Sequence, residues 1–329
     1  MSLAWLLIQF TVCAVLIARA GYVLSRSADA LAEAHGWGRG WVGLALLATV
    51  TSLPELASGI SAVAFVDAPN LAVGNALGAC VVNLLFLVVV DALQRHQPMY
   101  REASATHLLS AAFGVVMLGF VALSLLTGTR APALLHVGIY SPMLLALRAV
   151  HRHERQAMAV GTATRSPVPA GQMRDEWRRF GVAALVVLAA GSWLPKVADG
   201  LATTLGLSRS FVGTVLMAVV TTLPEMAVTL GALRLGALDM AIGNLLGSNL
   251  FNVMILAVDD VFYVRGPLLA EAASVHAGTA VTALVMTGLV IIGLVMRPQG
   301  RTLRVVSWVS VGLAATYVVN AALVYLGGV

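Results

Sequence analysis

The chain has 329 residues, of which 59% are hydrophobic and only 11% charged. Water-soluble domains average about 25% charged residues, so this composition excludes a soluble globular protein and leaves room for roughly ten membrane-crossing helices of ~20 residues. The formal net charge of +5 rests almost wholly on arginine, and two cysteines, Cys13 and Cys80, are too few for a disulfide framework or a thiolate metal site.

In chain order the apolar runs predict spans near 3–25, 38–65, 70–93, 103–126, 131–150, 179–205, 209–235, 240–263, 270–296 and 303–326. The first run outlasts a signal sequence and reads as a retained span. Residues 151–178 are charged, then rich in Pro, Gly and Ser, which is linker composition. The expected organisation is therefore a five-helix unit over 1–150, a linker over 151–178 and a second five-helix unit over 179–329. If both termini lie outside and the linker inside, fifteen of the 20 basic residues fall on inner segments, four on outer ones, and Arg19 lies within the first span. That is a strong positive-inside bias.

The second unit repeats the first. ADALAEAHGWGRGWVGLALLATVTSLPELA aligns with ADGLATTLGLSRSFVGTVLMAVVTTLPEMA at an offset of 170, pairing Pro54 with Pro224 and Glu55 with Glu225. LAVGNALGACVVNLLFLVVVD aligns with MAIGNLLGSNLFNVMILAVDD at an offset of 169, pairing Asn75 with Asn244, Asn83 with Asn252 and Asp91 with Asp260. Five spans per copy is an odd number, so the second copy enters the membrane from the opposite side, an inverted-topology repeat. The fold class expected is an all-α polytopic membrane protein with proline-broken motif helices.

Within those helices, Pro224 removes a backbone donor and Glu225 places a carboxylate where insertion costs about 2.5–3.5 kcal/mol. Both features recur at Pro54 and Glu55. A desolvated cation compensates both, because it takes oxygens from open carbonyls, hydroxyls and the carboxylate. Thr51 and Thr221 stand four residues before each acid, and Ser52 and Thr222 three before. Asn244, Ser248 and Asn252 form one stripe of the next helix; its first-copy counterpart is Asn75, Ala79 and Asn83. An all-oxygen cavity of this kind suits a hard cation such as Ca²⁺ or Na⁺.

At TSLPE with GNALGACVVN, and TTLPE with GNLLGSNLFN, the chain resembles the sodium/calcium exchanger family of the cation/Ca²⁺ antiporter superfamily. The resemblance implies a secondary transporter rather than an enzyme, exchanging Ca²⁺ for Na⁺ (in some branches H⁺) by alternating access at midplane sites. On matching positions it makes Glu55 and Glu225 the central Ca²⁺ ligands. It adds oxygen from Thr51 and Thr221 and carbonyls from Ala48 and Ala218. Ser52, Thr222, Asn83, Ser248 and Asn252 complete the Na⁺ sites. The implied partners are the lipid bilayer and small inorganic cations, with no cofactor and no nucleic acid; compact loops and a linker too short for a regulatory domain add the expectation of a prokaryotic inner membrane. Three departures stand out. Ala79 replaces a serine, Cys80 stands where the second copy has Asn249, and Asn252 replaces the acid of some members. The alternatives are a Ca²⁺/H⁺ antiporter on the same fold and a non-transporting membrane cation sensor. The glutamate that calcium/proton exchangers carry after GNxx is absent here, where Gly78 and Gly247 stand, which tilts toward Na⁺.

Several polar residues read differently. Asp91 and Asp260, near Arg95 and Arg265, are expected to form interfacial charge pairs. His107, His136 and His276 read as surface or packing residues, and the HRH at 151–153 as part of a basic cytoplasmic surface. Arg19 is expected to snorkel, or to meet polar groups in the bundle. Asp259 has no first-copy counterpart and receives no role.

Overall fold

A computed structural model describes residues 2–35, 48–94, 97–130, 132–158, 170–302 and 305–327. The protein is a helical bundle. Its helices are α1 (Leu3–Ala34), α2 (Leu53–Ala64), α3 (Pro69–Leu93), α4 (His107–Thr127), α5 (Tyr140–Met158) and α6 (Ala170–Leu205). The second half continues with α7 (Arg209–Thr221), α8 (Leu223–Arg234), α9 (Leu238–Phe262), α10 (Val275–Met296) and α11 (Trp308–Leu326). Among the described residues seven helices are long and apolar enough to cross a membrane, and α7 with α8, bent by 42°, makes an eighth. The outward faces are apolar, with Ile8, Val15, Leu123, Leu185, Val318 and Val319 all at least half exposed. Polar residues such as Asn75, Asn83, Asn244 and Asn252 are buried instead. Lipid, not water, is the solvent of such a surface.

The remaining two expected spans need comment. The one at 38–65 lies partly outside the described residues; its described part is helical at 48–51 and again as α2. The one at 131–150 starts late. Residues before it form a tight hairpin of β1 (Ala133–Leu134) and β2 (Val137–Gly138), with Leu135 left-handed at φ 59°, and the helix begins only at Tyr140. Pro142 sits in its first turn, where a missing N–H is harmless. The helix then runs through the basic HRHER segment to Met158, so the sequence from 151 starts as helix rather than linker. At the other end α6 begins at Ala170, well before residue 179.

The core is built on α3 and α9, which pack against each other; α2 packs on both, α7 on α3, and α8 on α9. Around this centre α4 packs on α10, and α1 packs along α6. Gly21 of α1 lies so close to α8 that a Cβ there would be 2.4 Å from the Pro224 ring, and one on Gly191 of α6 would be 3.2 Å from the Pro54 carbonyl. Each outer helix thus rests on the proline of the other half.

Asp91 and Asp260 tie the periphery together, and Asp260 does not form the charge pair expected. Asp91 accepts from the Met99 N–H (3.0 Å), the Ser307 N–H (2.7 Å) and the Ser310 hydroxyl (2.7 Å). Asp260 accepts from Leu268 N–H (2.7 Å), Gly138 N–H (2.8 Å) and the Ser141 hydroxyl (2.5 Å). Arg265 pairs with Asp67 at 2.6 Å instead, and Arg95 lies outside the described residues. Three donors satisfy a buried carboxylate better than one long, solvated arginine would.

Candidate functional site

The residues TTLPE and TSLPE do not kink one continuous helix; they end one and start another. Helix α7 stops at Thr221, Thr222 bridges at φ −81°, ψ 0°, and α8 starts at Leu223. Ser52 bridges into α2 at φ −88°, ψ 13° in the same way. The proline of each motif occupies the first turn of the new helix, where no N–H partner is needed, and the glutamate follows it in that turn. First-turn N–H groups carry the positive end of the helix dipole, which favours the carboxylate there. The preceding segment ends with its carbonyls, and so its negative end, on the same side. Thr221 and Glu225 therefore lie on either side of a helix break, as do Thr51 and Glu55.

Every expected ligand residue is buried, none more than 2% exposed: Glu55, Glu225, Thr51, Thr221, Ser52, Thr222, Asn83, Asn252, Ser248, Ala48 and Ala218. The two motifs interlock. Ser52 of the first donates to Glu225 Oε1 of the second at 2.8 Å. The Thr51 hydroxyl lies 3.4 Å from that of Ser248, and Thr221 donates to Asn75 Oδ1 at 3.1 Å. Both oxygens of Glu55 and Oε2 of Glu225 accept no hydrogen bond from the described residues, nor do the Oδ1 atoms of Asn83, Asn244 and Asn252. Among the described residues no three His, Cys, Asp or Glu side chains are gathered, so a cation here would draw on amides, hydroxyls and carbonyls beside the two acids.

Two expected carbonyl ligands are already engaged. Ala218 O accepts from the Thr222 N–H (3.1 Å), the Thr222 hydroxyl (2.8 Å) and the Thr221 hydroxyl (3.3 Å). Ala48 O accepts from the Ser52 N–H (3.3 Å) and the Thr51 hydroxyl (3.2 Å). Freeing a lone pair of either carbonyl for an ion takes one rotamer change at Thr51 on Ala48 O, and one each at Thr221 and Thr222 on Ala218 O.

The crossing of α3 and α9 brings Cys80 and Asn249, aligned positions of the two halves, against each other. Asn249 Nδ2 donates to Cys80 O at 3.2 Å, the Cys80 thiol points to Asn249 O at 3.7 Å, and Asn83 Nδ2 donates to Asn249 Oδ1 at 3.1 Å. Asn249 carries no site role from sequence, and its alignment with Cys80 is the available signal. Asp259 is another such residue. It is fully buried on α9, its oxygens accept no hydrogen bond from the described residues, and a Cβ on Gly59 of α2 would lie 2.3 Å from Oδ2. That glycine stands one helical turn beyond Glu55.

The histidines lie elsewhere. His107 is 2.9 Å from Asp239 Oδ1, and half-buried His136 meets Val261 O at 3.0 Å. His276 is buried. His151 departs from the basic surface expected of HRH: it is buried between α4 and α5, 3.1 Å from the Ser110 hydroxyl and 3.0 Å from Arg148.

With this geometry in view, the chain belongs to the sodium/calcium exchanger protein family, whose pattern it matches over residues 5–148 and 177–326. It is an all-α polytopic membrane protein of a cation-exchanging family. CaxA of Alkalimonas amylolytica, named as an antiporter, is 31% identical over 241 residues, which cover 71% of this chain and 72% of that one. The sodium-calcium exchanger NCX_Mj superposes with a TM-score of 0.67 at 18% identity, over 98% of this chain and 99% of its own. The H⁺/Ca²⁺ exchanger CAX superposes with a TM-score of 0.73 at 14% identity, over 98% and 86%. At such identities the two structures establish a common fold, and they establish it for both kinds of coupling.

Proposed function

We propose that this chain is a secondary active antiporter that moves Ca²⁺ against Na⁺ by alternating access. Glu55 and Glu225 hold the transported cation. One observation carries the reading: two carboxylates, one from each motif, are wholly buried in one site, and three of their four oxygens take no hydrogen bond from the described residues. Carboxylates in that state are costly without a positive partner, and two of them neutralise one Ca²⁺. Thr51, Thr221, Ser52 and Ser248 supply neighbouring hydroxyls, Asn83 and Asn252 supply amide oxygens, and Thr222, Ala48 and Ala218 contribute once the hydroxyls rotate. Sodium as counter-ion is supported by glycine, not glutamate, at 78 and 247.

The same proposal treats 1–150 and 179–329 as inverted repeats. The matched networks of Asp91 and Asp260, and the meeting of Cys80 with Asn249, support it. The arginine bias supports both termini outside and the central segment inside a prokaryotic plasma membrane. Helices α1 and α6, resting on the motif prolines from outside, are the pair that slides. The test is radiolabelled Ca²⁺ uptake into proteoliposomes under an imposed Na⁺ gradient and, separately, a pH gradient. Uptake driven by Na⁺ is expected. Uptake driven by pH alone moves the coupling to protons, and no uptake with cation binding retained leaves the sensor reading.

A further inference from the structure

Arg19 lies on the lipid-facing side of α1, in the middle of an apolar helix, where an uncompensated guanidinium is expensive. It does not reach into the bundle. It lines a cavity of about 700 Å³ between α1 and α6, with Arg178, Arg179 and Asp175 at one end and Leu16 and Val186 at the other. Leu16 at 42% exposure and Val182 at 56% place this groove on the outer surface, open to the bilayer.

Depth follows from the antiparallel register. Ser27 donates to Glu176 at 2.9 Å, which sets those two residues level. Arg19 is eight residues before Ser27, hence about 12 Å deeper at 1.5 Å per residue, beside Ala183 and Val182. From Asp175 to Val186 the groove runs about 16 Å on the same scale, enough for a phosphate-bearing headgroup, its glycerol and the first carbons of a chain. Trp177, 49% exposed, stands where aromatic residues mark the headgroup level.

The charge in the groove is lopsided. Arg179 shares Glu176 at 3.0 Å, while among the described residues no carboxylate lies within ion-pair distance of Arg19 or Arg178. Among the described residues Asp175 is the one acid on the lining. Two free guanidiniums over an apolar trough match a phosphodiester with acyl chains, and match neither a zwitterion of no net charge nor a free apolar tail. We infer that the α1–α6 groove binds an anionic phospholipid, with Arg19 and Arg178 on its phosphate and Leu16, Val182 and Val186 along its acyl chain. This site stands apart from Glu55 and Glu225 and does not depend on which ion is exchanged.

The test uses the full chain purified in neutral detergent, with phosphatidylglycerol, phosphatidylcholine or inorganic phosphate added. Lipid binding is read by native mass spectrometry and by thermal shift. Phosphatidylglycerol is expected to bind and raise the unfolding temperature, whereas phosphatidylcholine and inorganic phosphate do neither. The Arg19→Gln/Arg178→Gln variant should bind it about thirtyfold more weakly, the loss of two interfacial arginine contacts. Val182→Trp, which keeps both charges and fills the trough, should lose it too, while Arg234→Gln at the end of α8 should not. Equal binding of phosphatidylcholine, reproduction of the shift by phosphate, or undiminished phosphatidylglycerol binding by the double variant or by Val182→Trp each overturns the inference.

Discussion

Gly78 and Gly247 occupy matching positions in the two motifs, and Gly78 marks a close crossing of α3 with α7. A Cβ on Gly78 would lie 2.3 Å from the Thr214 carbonyl oxygen and 2.7 Å from the Ala218 Cβ. The first of these atoms is backbone and cannot swing away. Restoring ordinary contact requires α3 and α7 to part by about 1 Å. That movement stretches the 3.1 Å bond from Thr221 to Asn75, three residues before Gly78, and shifts the Ala218 carbonyl. Overpacking of this kind costs about 1–3 kcal/mol, and a lost buried hydrogen bond about 1 kcal/mol more. Among the described residues, a Cβ on Gly247 would meet the Ala48 Cβ at 3.3 Å, and residues 36–47 before it lie outside the described residues. Gly78→Ala should therefore unfold several degrees below the parent and lose most Ca²⁺ uptake. The assay pairs thermal unfolding of purified protein with initial uptake rates in proteoliposomes. A parental unfolding temperature, or parental uptake, for Gly78→Ala would refute the close α3–α7 contact as a determinant of the site.

Other expectations follow from the same geometry. Asp91→Ala or Asp260→Ala strips three hydrogen bonds from buried donors and should destabilise by about 3 kcal/mol or more, read by thermal unfolding; a change below about 0.5 kcal/mol contradicts their role as ties. Gly59→Ala drives a methyl into the Asp259 carboxylate, so it should destabilise, and adding Asp259→Ala should recover part of the loss. Strict additivity of the two changes would show that they do not touch. Ala79→Ser restores a hydroxyl at a buried position matching Ser248 and should lower the Na⁺ concentration that half-maximally drives exchange; an unchanged value removes position 79 from the Na⁺ site.

The class of fold was legible because it depends on composition, and the candidate site residues stand out in sequence because their motif is repeated. An acid and a proline inside an apolar run have few bland explanations once they occur twice. What the two halves do to each other was not legible. The Ser52–Glu225 bond crosses between motifs, and spacing within one motif cannot reveal a partner 173 residues away. The start of α5 was misplaced because hydropathy over 131–150 does not distinguish a tight hairpin from a helix turn. Sequence pairs Asp260 with nearby Arg265 because charges are visible there, whereas the backbone N–H groups that claim Asp260 are not. The engaged carbonyls of Ala48 and Ala218 likewise depend on rotamers that no pattern encodes.

The central claim is that Glu55 and Glu225 together form the cation site. Equilibrium binding of radiolabelled Ca²⁺ to the purified chain, compared with Glu55→Gln and Glu225→Gln, tests it most directly. Saturable binding to the parent, displaced by Na⁺ and lost in each folded variant, is the predicted result. Binding of parental affinity in both variants would contradict it.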